Sequence, residues 1–244
     1  MLLDESSDYT PEMTDSLAIN NKIKEQLKEI LVKPETTKYD LEKAFKGTDI
    51  SVVHSKDKRL WLFTWYENTG GSFISNLTVI QYRTKTNKPK VVIDNSITDD
   101  EVNGFDSSGS DFEHIIKLPS KSKNLYLCLG GFWGCNTCSA QVALVIELTS
   151  DGINLGYPAF KNTNVSSNNK PIIEWEPMFI MDSRSDDIKT FAYDAKTQSI
   201  RYKYVPDDNT PITVEDEKYD PNAKPIVGYL KWDGTEFIET VVGQ

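Results

Sequence analysis

The sequence predicts an all-β fold: an antiparallel meander of repeated four-stranded units, propeller-like in series, behind one or two N-terminal α-helices. Three observations predict it. Helical periodicity is confined to the first fifty residues. The later apolar runs are short and bounded by Gly, Asp, Ser or Asn. One order of strands and turns occurs twice, with a third, degraded trace. A β-sandwich or an open barrel is the alternative way to close the same hairpins.

Residues 1–13 are polar and acidic and read as a disordered lead-in. From Thr14 to Lys33, Ile19, Ile23, Leu27, Ile30 and Leu31 recur on one helical face. Thr14 or Asp15 can cap this helix, and Pro34 stops it. A shorter helix follows: Thr37 and Asp40 resemble a capping box, Leu41 and Phe45 share a face, and Gly47 is placed to end it. The two helices, spanning about 14–47, are expected to clamp the sheet rather than to bind a partner. No composition break follows, so 14–244 reads as a single β-rich domain.

The first strand unit comprises 50–54, a SerLysAspLys turn (55–58), 60–66, an AsnThrGlyGlySer loop (68–72), 77–83 and 91–94. Both faces of 60–66 are apolar, which predicts cover on both sides. The second unit comprises 113–118, a SerLysSerLys turn (120–123), 124–129, a Gly-Gly loop, 141–148, an AspGly turn and 153–157. The third trace runs from Met178 through 188–193 and 200–204, and the chain closes with strands 226–232 and 237–241. Segments 95–111, 161–170 and 206–224 read as polar connections.

A net charge of −10 argues against nucleic acid and against an anionic membrane surface, leaving cationic ligands, neutral sugars or another protein. No apolar run is long enough to span a bilayer. No signal peptide opens the chain; the Asn, Ser and Thr content, the many turns and the close cysteine pair nevertheless lean towards export.

Cys135 and Cys138 form a CxxC without the further ligands zinc needs, and they precede a strand rather than open a helix. A local Cys135–Cys138 disulfide is the expectation, with Cys128 left as a buried thiol. That pairing follows from strand parity if the faces holding Leu125, Leu127, Leu129 and Val142, Leu144, Ile146 meet one core. Trp65, Tyr66, Phe132 and Trp133 flank the two Gly-Gly loops and are the candidate ligand-binding rings; the alternative is that they cap the core. Glu174 and Glu176 share a strand face but read as a solvated pair, and Asp182, Asp186 and Asp187 as a solvated turn. Asp99, Glu101 and Asn103 open an irregular calcium-loop pattern that lacks the Glu expected at its twelfth position, Ser110. His54 and His114 accompany no nucleophile signature, so no catalytic residue is assigned.

The segment SKDKRLWLFTWYENTGG (55–71) resembles a motif of uncharacterised exported proteins of Bacteroidetes bacteria: a Ser-x-Asp turn, an apolar strand, a Trp and a Gly-Gly loop. GYLKWDGTEF (228–237) has the same flavour, whereas Trp65-Tyr66-Glu67 departs from the Trp-Asp of that pattern. The resemblance implies export, periplasmic or at the cell surface, and no activity. The expected function is a non-catalytic binding module for a glycan or protein partner. A hydrolase assembled from separate loops and a structural envelope component are the alternatives.

Overall fold

The structure is a computed structural model that describes residues 11–67, 76–84, 88–93, 110–133, 138–165, 171–176, 178–184, 188–204 and 226–241. Helix α1 (Pro11–Leu31) leads through a 3-10 turn (Pro34–Lys38) to the one-turn α2 (Leu41–Ala44). Residues 11–13 are thus helical rather than part of the lead-in. Asp40 caps α2 by accepting from the Lys43 N–H.

Four strands follow: β1 (Ser51–His54), β2 (Leu60–Tyr66), β3 (Asn76–Arg83) and β4 (Pro89–Ile93). They form an antiparallel meander in chain order. Next come β5 (Asp111–Lys117), β6 (Asn124–Trp133), β7 (Cys138–Leu148) and the short β8 (Ile153–Asn154), in a second sheet. Then the repeat breaks. β9 (Phe160–Val165) and β10 (Pro171–Glu176) form a hairpin, and β11 (Met178–Arg184) returns to pair with β7. Finally β12 (Ile188–Asp194), β13 (Ser199–Tyr204), β14 (Ile226–Trp232) and β15 (Phe237–Val241) build the third sheet. Its order is β10-β9-β15-β14-β13-β12, closed by a single parallel pairing of Phe160 with Phe237.

The sheets stack face to face. Leu27 and Leu31 of α1 and Leu41 of α2 pack on Trp61, Phe63, Trp65, Leu77 and Val79 of the first sheet. The reverse face of that sheet, with Leu60, Leu62 and Ile80, packs on Tyr126, Cys128, Val142, Leu144 and Ile146. The other face of the second sheet, with Leu125, Leu127, Leu129, Ala143 and Val145, packs on Ile200, Tyr202, Leu230, Trp232 and Phe237. Cover on both sides of β2 is therefore real: helices on one side, the second sheet on the other. Each fully buried Leu contributes roughly 1.5–3 kcal/mol, against about 0.5–1.5 for a hydrogen bond, so apolar burial holds the layers.

Three expectations are corrected. Gly130-Gly131 is strand, not loop, because β6 continues to Trp133. A Cβ on Gly130 would run into the Asp111 carbonyl oxygen and the Phe112 Cα, where β5 bulges against β6. Residues 161–165, expected in a connection, belong to β9 because Pro171–Glu176 pairs with them. The apolar face of α1 is also rotated. Ile19 and Ile30 are 59% and 47% exposed, while Asn20, Leu27 and Leu31 face inward. Asn20 holds the inner position by accepting from Trp65 Nε1 (3.0 Å) and donating to the Glu67 carbonyl (2.6 Å). A helix turns about 100° per residue, so this places Ile19 and Ile30 together on the flank.

Candidate functional site

Strand directions sort the connections into two ends. The connections β1–β2, β3–β4, β5–β6, β7–β8, β12–β13 and β14–β15 all lie at one end of the stack. Side chains fold several of these turns. The Ser55 hydroxyl accepts from the Arg59 and Leu60 N–H groups and donates to Asp57 Oδ1 (2.8 Å). Asp233 Oδ1 accepts from the Thr235 and Glu236 N–H groups, and Asp194 from that of Lys196.

Asp57 does more than fold its own turn. Its Oδ2 accepts from Tyr126 Oη on β6 (2.9 Å) and from Lys117 Nζ at the end of β5 (3.0 Å), joining the first and second sheets. Arg59 donates through Nε and Nη2 to the Arg83 carbonyl (3.2 and 3.1 Å) and through Nη1 to Asn124 Oδ1 (3.4 Å). The Arg83 guanidinium in turn bonds the Lys58 carbonyl. Burial alone would raise the Asp57 carboxyl, but bonds from Ser55, Lys117, Tyr126 and the Arg59 N–H outweigh it and hold the group below the usual carboxylate range. Burial, helped by the Asp57 bond and charge, pushes the Tyr126 phenol well up, so it stays a proton donor.

The second and third sheets meet at the same end chiefly through neutral donors. Trp232 Nε1 donates to the Pro119 carbonyl (2.7 Å) and Tyr157 Oη to that of Thr235 (3.0 Å). Lys123 lies over the Tyr157 ring at 4.6 Å and pairs with Glu147.

The sequence-selected rings lie at the opposite strand ends, in two sheets. Trp65 is 5% exposed and closed off by α1 and Asn20; Tyr66 is 44% exposed. Phe132 and Trp133 are strand residues of β6, as is Cys138 of β7. Cys135 lies outside the described residues, as do Asp99, Glu101, Asn103, Asp186 and Asp187. Cys128 pairs with Leu144 and shares the face of Val142 and Ile146, so the two leucine-bearing faces meet different cores. Cys138 lies six residues before Leu144 on β7, roughly 20 Å away, and a disulfide needs Cα atoms within about 7 Å. Cys128 is a buried free thiol, and burial raises its pKa.

His54 Nδ1 lies 2.9 Å from the Ser55 carbonyl, with the ring 4.2 Å from that of Trp61 and Nε2 3.6 Å from Glu42. Among the described residues, no cluster of His, Cys, Asp and Glu has a metal-binding arrangement, and no helix is long and apolar enough to cross a membrane. The turn-end network of Lys58, Arg59, Arg83, Lys117 and Tyr126 is not visible in the sequence; its only trace is the recurrence of Lys in both Ser-rich turns. Comparison with family models, with curated proteins and with solved structures finds no match to this chain.

Proposed function

We propose that this protein is a non-catalytic exported module that binds a glycan or protein partner across the turn-bearing end of its sheet stack. The observation that carries this reading is the bracing of that end. Turns from all three sheets meet there, and the polar groups between them are tied to one another. Asp57 is engaged by Ser55, Lys117, Tyr126 and Arg59, and the donors on Tyr126 and Arg59 are directed into the fold. Such groups position a surface; general acid–base chemistry needs a group that can exchange its proton with a substrate.

The finer architecture is an open, propeller-like series of three blades, a reading supported by two successive meander sheets stacked face to face. Export is supported by the resemblance of 55–71 and by the composition.

The test is a binding panel of neutral and charged glycans together with a screen on nitrophenyl glycosides and esters. Binding without turnover is expected. Turnover abolished by Asp57→Asn or His54→Ala would replace this reading with the hydrolase. Binding abolished by alanine at Tyr66, Phe132 or Trp133, with turn-end variants unaffected, would move the site to the opposite end.

A further inference from the structure

The net charge of −10 averages over unlike stretches of chain. In sequence, segments 94–110 and 205–225 hold eleven Asp and Glu against two Lys. The rim shared by the first two sheets carries the reverse. Lys56, Lys58 and Arg59 come from the first turn, Arg83 from the end of β3, Lys117 from the end of β5 and Lys121 from the β5–β6 connection. The carboxylates at this rim are Asp57, already engaged by Lys117 and Tyr126, and Asp151 of the β7–β8 turn, whose carbonyl accepts from Lys90. Lys56, Lys58, Lys117 and Lys121 are exposed.

We propose that this rim is a binding surface for an acidic polysaccharide, one bearing carboxylate or sulfate groups. The inference rests on the module reading above and names its ligand class. Stacked sheets lie about 10 Å apart, so cations from the two turns recur at intervals along the rim, as charges do along an extended polyanion. The brace holds that spacing: Arg59 is bound to Arg83 and Asn124, and Lys117 to Asp57. Two further features favour a glycan over other polyanions and over protein. Among the described residues, none of the large exposed apolar side chains, Ile19, Ile30, Val32, Tyr39, Tyr66 and Ile238, lies in these turns, which disfavours the apolar anchoring of a protein interface. The rim's own rings, Trp61 and Tyr126, are buried, which leaves no platform for stacking bases.

The experiment measures binding of the full chain to dextran sulfate, polygalacturonate, neutral dextran and an oligothymidylate. Saturable binding to at least one acidic polysaccharide is expected, falling steeply between about 50 and 200 mM salt. Lys58→Glu with Lys121→Glu should weaken it tenfold or more without changing the melting temperature. Lys22→Glu with Lys28→Glu, exposed on α1, should leave it unchanged. No binding to either acidic polysaccharide, equal loss in both double variants, or preference for the oligonucleotide would overturn the proposal. Binding of a neutral glycan unchanged by Lys58→Glu with Lys121→Glu would overturn it too, while leaving the module reading intact.

Discussion

Toward the first sheet, β6 and β7 present Tyr126, Cys128, Val142, Leu144 and Ile146; toward the third they present Leu125, Leu127, Leu129, Ala143 and Val145. The two seams are closed differently at the turn end. On the first, a carboxylate, a lysine and a phenol meet at Asp57, with Arg59 beside them. On the third, indole and phenol donors meet backbone carbonyls, and Phe160 stacks on Phe237 with Trp232 tilted against it. A neutral seam should hold equally at any moderate pH, whereas a charged one depends on proton and salt concentration.

The largest way to break this contrast is on the neutral side. Trp232→Ala removes a buried ring and orphans its partner carbonyl, and should cost about 3–5 kcal/mol in urea denaturation. That loss should be the same at pH 4 and pH 7; a loss confined to one pH would erase the distinction between the seams.

Asp57→Asn should cost about 1–3 kcal/mol at pH 7, since the donors on Ser55, Tyr126 and the Arg59 N–H lose a charged acceptor, while the exposed Lys117 loses only a partly screened counter-charge. Its pH signature matters more. The folded carboxyl titrates below its unfolded value, so its contribution is complete above about pH 4 and lost as pH falls through the folded value. The gap between wild type and variant should therefore narrow on acidification, with Asp194 and Asp233, also held low, shaping what remains of the acid limb. A gap that widens below pH 4 would contradict the brace.

Tyr126→Phe leaves the ring buried and removes one donor to Asp57, a loss of about 0.5–1.5 kcal/mol by thermal melting. The smallest effect sharpens the picture further: Cys128 is a built-in reporter of the charged seam. Native protein should resist a thiol reagent, and Asp57→Asn should raise the labelling rate on the order of tenfold through more frequent opening. Equal rates would mean that the Asp57 brace does not guard that seam.

Much of the fold is legible in the residues themselves. Leu60–Tyr66 is apolar on both faces, so its strand and its double cover can be read directly, and the AspGly turn between 226–232 and 237–241 marks the final hairpin. Gly130-Gly131 misleads because glycine signals a turn locally, while here it admits the backbone of β5. Phe160–Val165 misleads because KNTNV has no apolar pattern; its pairing with β10 is supplied by distant chain. Ile19 and Ile30 mislead because one buried Asn outweighs them: leaving the Trp65 indole without an acceptor would cost more than exposing part of two side chains.

The sequence by itself determined the strand-rich class, the helical start and the two-faced apolar pattern of β2 and β6, because each depends on residues close in the chain. Only the tertiary structure decided which core each face meets, why Cys128 stands alone and that the turn-borne lysines and arginines converge on one rim. Those properties depend on strand direction and sheet stacking, which join residues 57 and 126 across sixty-nine positions of chain. Local periodicity carries no record of such a pairing.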